Sequence, residues 1–160
     1  MKLLKRIAPL AIVLLSFMVF ALIIAKHESH LAQGYTIYAK LAPVDPRSLI
    51  QGDYMQLGYE LGLPSSDDNA DKQRATAYVS TDTHGVIVSS AWQADASHDR
   101  ALQLKDGQWQ WHPATDSFMF AEGLADCYGQ AKFAKLSVTE DGQAMLVDLV
   151  GEDLGELGCR

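Results

Sequence analysis

Three hydrophobic patterns divide the chain. Ile7 to Ala25 runs for 19 residues without a charge. From Tyr35 onward, apolar residues recur at every second position in short runs broken by glycine, proline and aspartate. Between Asp116 and Gly129 the spacing lengthens, with Phe118, Ala121, Ala125 and Tyr128 in helical phase. The first pattern predicts a membrane helix. The second predicts strands with one buried face, and the third a short helix.

A helix over Ile7 to Ala25, rising ~1.5 Å per residue, nearly crosses a hydrocarbon core of ~30 Å. Pro9 is expected in its first turn, where the missing N–H costs little. Lys2, Lys5 and Arg6 precede the run. That asymmetry puts the N-terminus in the cytoplasm and the main domain on the far side of the membrane, which in a bacterium would be the periplasmic side of the inner membrane. A cleaved signal peptide is the competing reading, with Ile23-Ile24-Ala25 as a weak cleavage site. The run exceeds the ~7–15 apolar residues usual for such a peptide, which favours a retained signal-anchor. Lys26 to Gly34 reads as a short polar linker or a helical continuation. His27 and His30 have no further ligand beside them and read as solvated side chains rather than a metal site.

Beyond the linker the alternation is regular. Tyr35, Ile37, Ala39 and Leu41 share one face of a strand that Pro43 and Pro46 end. A Gly52-Asp53 turn then leads into a strand with Met55, Leu57, Tyr59 and Leu61 on one face. Residues 62–73 form a loop whose Asp67, Asp68 and Asp71 lack the spacing of a calcium-binding loop. Arg74 to Thr81 and Val86 to Trp92 read as a hairpin around Asp82 to Gly85. Ala101 to Lys105 and Gln108 to Trp111 read as another around Asp106-Gly107. Asp116 suits an N-cap and Gly129 a stop for the short helix, which Gly123 weakens by ~1 kcal/mol relative to alanine. Ala131 to Val138 and Ala144 to Val150 are final strands around Glu140-Asp141-Gly142. Roughly seven strands to one short helix argue for a small barrel or sandwich. The expected division is 1–6 cytoplasmic basic flank, 7–25 transmembrane anchor, 26–34 linker, 35–150 mainly-β domain and 151–160 acidic flexible tail.

Charge narrows the partners. Removing Lys2, Lys5 and Arg6 from the 13 basic residues leaves 10 against 20 acidic ones, a net −10 beyond residue 25. Such a surface repels phosphate backbones, so nucleic acid is excluded as a partner class. Membrane lipid is reached through the N-terminal helix alone. The two cysteines, Cys127 and Cys159, stand in a compartment that permits a disulfide, and the sequence leaves their pairing open. No Cys-x-x-Cys is present, which argues against a redox-active pair.

The densest run of structure-specifying residues is Ala42 to Leu61. Gly52-Asp53-Tyr54-Met55-Gln56-Leu57-Gly58-Tyr59 matches the pattern that names the GDYXXLXY family, and Asp45-Pro46-Arg47-Ser48-Leu49 resembles that family's lead-in. Phe118 to Gly123, running into Phe133 to Leu149, is similar to its C-terminal portion. The resemblance implies a bacterial membrane-anchored protein, encoded beside a multi-spanning membrane protein. It brings no catalytic residue and no cofactor. The residues themselves suggest a corner. Pro46 holds Asp45 extended, Arg47 is within reach of Asp45 or Asp53, and Tyr54 points away from Met55, Leu57 and Tyr59.

Three function classes remain. An accessory subunit docking onto a polytopic membrane partner is the leading expectation, and it is non-enzymatic. The segment Ser48 to Leu57 is also similar to the one that follows the nucleophile in signal-peptidase-like serine proteases. There, however, Val44 occupies the nucleophile position and no lysine base can be placed, which disfavours hydrolysis. Trp109 and Trp111, two apart on one strand, offer a glycan-binding platform as a third class. His84, His98 and His112 are scattered among turn residues and charges, and no recognised catalytic motif includes them.

Overall fold

The computed structural model describes residues 2–42, 46–49, 52–63, 73–107 and 110–159, with backbone alone at 2–11, 29–33, 46–49 and 52–53. Two compact units result, Met1–Gly34 and Tyr35–Arg160.

The first unit is one helix, α1 (Lys2–Gln33), of 32 residues. At ~1.5 Å per residue it is about 48 Å long. Because it starts at Lys2, Pro9 falls in its interior rather than in its first turn. There the ring removes one helical hydrogen bond. The helix also continues through most of the expected linker. His27 assists by donating from Nδ1 to the Ile23 carbonyl at 3.0 Å. Side chains from Ile12 to Glu28 are all exposed, Phe17 at 70%. Among the described residues, no helix is long and apolar enough to cross a membrane.

The second unit is mainly β. Strand β1 (Tyr35–Lys40) pairs antiparallel with β9 (Phe133–Val138), which also pairs with β10 (Ala144–Val150). Strand β4 (Arg74–Thr81) lies between β5 (Ile87–Ala91) and β6 (Arg100–Asp106), with β7 (Trp111–His112) beside β6. The remaining sheet has β3 (Gly52–Gln56) between β2 (Pro46–Leu49) and β8 (Ser117–Phe120). Backbone bonds at the strand ends join these sheets into a half-barrel. Tyr38 N–H donates to the Gly85 carbonyl at 2.9 Å, which brings β1 alongside the start of β5. Ala42 N–H reaches the Gly58 carbonyl and Glu60 N–H the Lys40 carbonyl, which brings the continuation of β3 alongside β1. Gln103 N–H reaches the Gly142 carbonyl at 2.8 Å, which seats the β9–β10 turn on β6. At that turn Gly142 has φ +82°, and a Cβ there would lie 2.9 Å from the Ala101 carbonyl. Glycine therefore meets both a backbone and a packing requirement.

The core follows the alternation. Ile37, Ala39 and Leu41 are buried from β1 onward, and Met55, Leu57, Tyr59 and Leu61 from β3 onward. Ala77, Val79, Leu102, Leu104, Leu136 and Leu149 pack with them. Each large side chain so buried contributes roughly 1.5–3 kcal/mol.

Four local expectations are corrected. Asp106 is still in β6, paired with Trp111, and Gly107 N–H bonds to the Gln110 carbonyl at 3.1 Å. Asp106 therefore closes β6 rather than forming the turn with Gly107. The helix expected over Asp116 to Gly129 is a strand followed by a single turn. Ser117–Phe120 pairs with β3, and only α2 (Ala125–Tyr128) is helical. Phe118 and Phe120 fit a period of two, with Met119 between them exposed, and pairing with β3 satisfies backbone groups that a helix would have satisfied internally. Gly123, at φ +84°, makes the break. The tail expected to be loosely held folds back instead. Val150 bridges Glu156, Gly151 N–H bonds to the Gly155 carbonyl, and Leu157 packs on the core. Finally, Gly52 and Asp53 open β3 rather than forming the turn, because Leu49 already pairs with Gly52.

Candidate functional site

The candidate site is the three-stranded sheet β2–β3–β8, built around the Gly52 to Tyr59 run. Its two faces differ. On the inner side Met55 is buried opposite Phe118. Phe118 and Phe120 lie 6.4 Å apart, and the Tyr128 ring of α2 stands 5.1 Å from the first and 5.3 Å from the second. Edge-to-face and tilted packing of this kind adds about 0.5–1.5 kcal/mol per pair beyond burial. A disulfide between Cys127 and Cys159 ties α2 to the tail. The inner face is thus filled and pinned.

Register assigns the outer face. Arg47 stands opposite Tyr54, and Tyr54 opposite Met119, so the three positions form one row across the sheet. Tyr54 is half-buried, whereas Met119 is 76% exposed. A phenol beside an exposed thioether makes an adaptable apolar contact surface. Asp53 stands opposite Ser48, one step from the Arg47–Tyr54 pair. Successive strand positions alternate faces, so the register does not bring Arg47 and Asp53 to the same face. Asp45 and Val44 lie outside the described residues, as do Trp109 and the acidic loop with Asp67, Asp68 and Asp71.

Downstream of Tyr54 the run turns structural. Leu57 is buried, and its N–H donates to the Asp116 carbonyl at 2.8 Å. Tyr59 is buried too, and its hydroxyl donates to the Thr115 carbonyl at 2.8 Å. Burial pushes the Tyr59 phenol far above its ordinary value, so it stays a neutral donor. These two residues clamp the strand onto the segment that leads into β8. A family model described as GDYXXLXY protein matches residues 16–149, covering both the clamp and the outward Tyr54. The chain belongs to the GDYXXLXY family. No curated protein and no solved structure gives a match.

Elsewhere, Trp111 is half-buried and packs edge-on against Trp92, with ring centroids 6.1 Å apart. Both rings pack against the core. His112 is buried on β7, and burial lowers its pKa, with Lys105 adding to the effect and Asp116 opposing it. Among the described residues no group of three metal-ligating side chains converges.

One polar constellation escaped the sequence reading. Ser89 Oγ lies 3.0 Å from His98 Nε2, and His98 Nδ1 lies 2.9 Å from Asp95 Oδ1. The three residues fall within ten positions, but they sit on a strand and in the loop after it. The usable signal was the spacing of Asp95 and His98, which suits an Asx-type turn carrying a histidine.

Proposed function

We propose that this GDYXXLXY protein is a single-pass, membrane-anchored periplasmic subunit that docks onto a multi-spanning membrane protein. The observation that carries the reading is the charge-free run from Ile7 to Ala25 within α1, with basic residues only on its N-terminal side. Exposed Ile12, Leu15, Phe17, Phe20 and Ile24 support it, since lipid is the solvent in which such an all-round apolar helix surface is stable. The docking face in this reading is the Arg47–Tyr54–Met119 row. An exposed methionine beside a half-buried tyrosine has little use in isolation, whereas such side chains are enriched at interfaces. Tethering confines the domain to the membrane surface and raises its effective concentration for a partner in the same bilayer.

Topology is the direct test. The protein should stay in the membrane pellet after alkaline carbonate washing, and external protease should digest residues 35 onward in spheroplasts. Release by carbonate, or protection of the domain in sealed spheroplasts, would contradict the reading.

A further inference from the structure

The Ser89–His98–Asp95 constellation has the order of a nucleophile, its base and the group that orients the base. Local sequence builds each part. Strand β5 carries a bulge, because Ser80 pairs with Ser89 while the next pair is Thr81 with Ile87, leaving Val88 extra. A bulge re-aims side chains along its strand. Here it leaves Val88 and Ser89 both exposed between buried Ile87 and Ser90. Asp95 then closes a tight loop. Its Oδ1 accepts N–H bonds from Ser97 at 2.7 Å and from His98 at 2.8 Å, besides the ring contact. The Asp95 and His98 main chains also exchange two bonds of 3.2 Å.

This loop fixes the imidazole. The backbone N–H of Ser97, with further bonds from His98, holds the Asp95 carboxyl below its ordinary range. An ionised Oδ1 accepts only, so a neutral His98 ring carries its proton on Nδ1. The Nε2 lone pair then faces the Ser89 hydroxyl. The His98 side chain is 17% exposed against 56% for Asp95, and Ser89 is exposed as well. The base is therefore shielded while the hydroxyl is open to incoming molecules.

We infer that Ser89 is an acyl-accepting nucleophile, with His98 as its general base and Asp95 as a positioning residue. The reading goes beyond the docking role and does not depend on it. Ser89 Oγ attacks an ester carbonyl while its proton passes to His98 Nε2. The ester C–O bond breaks, and the leaving alkoxide takes that proton. A water then attacks the acyl-serine as Nε2 takes its proton; the acyl C–Oγ bond breaks, Nε2 returns the proton to Oγ, and a carboxylic acid and free Ser89 result. The substrate class is an accessible carboxylic ester rather than an amide. An exposed site works in high dielectric, where electrostatic stabilisation of a developing oxyanion is weak, and esters demand less of it.

The test uses the full chain in detergent and a fluorophosphonate probe, with peptide mapping of the adduct. One adduct on Ser89 is expected, absent in Ser89→Ala. The labelling rate should fall about 100-fold in His98→Gln, within the range for removal of a general base. Asp95→Asn keeps an oxygen for the two backbone N–H groups and so preserves the loop. It should still lower the rate at least about tenfold, because a neutral amide cannot stabilise the imidazolium that forms when His98 takes the Ser89 proton. A steady release of nitrophenol from nitrophenyl acetate should follow the same order across the variants. Failure of the folded protein to label, labelling mapped to Ser48 or another serine, or an unchanged rate in His98→Gln would overturn the inference. An intact Cys127–Cys159 bridge and an unaltered circular dichroism spectrum certify the fold in each case.

Discussion

Tyr59 shows how one residue of the family pattern does structural work. Its ring is in the core and its hydroxyl satisfies the Thr115 carbonyl just before β8. Tyr59→Phe keeps the ring and orphans that carbonyl. A loss of about 1–2 kcal/mol is expected, read as a lower urea midpoint with an unchanged slope. His112 sets a pH dependence. Burial lowers its pKa from the ordinary 6.5. The unfolded chain therefore binds a proton that the folded chain refuses, and stability falls as pH drops below about 6.5. Thermal melts between pH 8 and pH 5 should show that decline, and His112→Gln should flatten it. At this scale the sequence was legible where alternation decided the answer, as at Leu57 and Tyr59. It was silent on Ser89, because the Val88 bulge reverses the strand's inside-out pattern and only the fold shows it.

Among the elements, β1 and the β3 continuation were legible for a simple reason. Ile37, Ala39 and Leu41, like Met55 to Leu61, occupy one face, and strand period alone selects that face. The stretch from Ser117 to Tyr128 was not. Phe118, Ala121, Ala125 and Tyr128 fit a helical spacing, yet Phe118 and Phe120 fit a strand equally well, and only the distant β3 chooses between them. The tail was misread for a related reason, since its acidic, glycine-rich composition says nothing of the bond from Cys159 to Cys127, 32 residues back. That bridge closes a loop worth ~3–4 kcal/mol by chain-entropy arithmetic. Reduction, or the double substitution Cys127→Ser with Cys159→Ser, should lower stability by about that amount. The aromatic cluster around Tyr128 should loosen first, visible as faster hydrogen exchange in β8 than in β9. Equal exchange in both strands would contradict the assignment of the bridge as the pin of α2.

For the whole molecule, the half-barrel organises its surface around one contrast. The motif sheet has a filled inner face, closed by the aromatics and the disulfide, and an outer face on which Met119 is exposed beside Tyr54. The mainly-β character of the domain and the family could be read from the sequence. The Arg47–Tyr54–Met119 row could not, because it depends on the pairing of β3 with both β2 and β8. The central claim is that this row meets a multi-spanning partner in the bilayer, and photocrosslinking in intact membranes tests it most directly. A benzophenone amino acid at Met119 should give a discrete adduct with one multi-spanning membrane protein, and the adduct should weaken when Tyr54 is replaced by alanine. The same probe at Val147, exposed on β10, should not give it. No adduct from Met119, or the same adduct from Val147, would contradict the account.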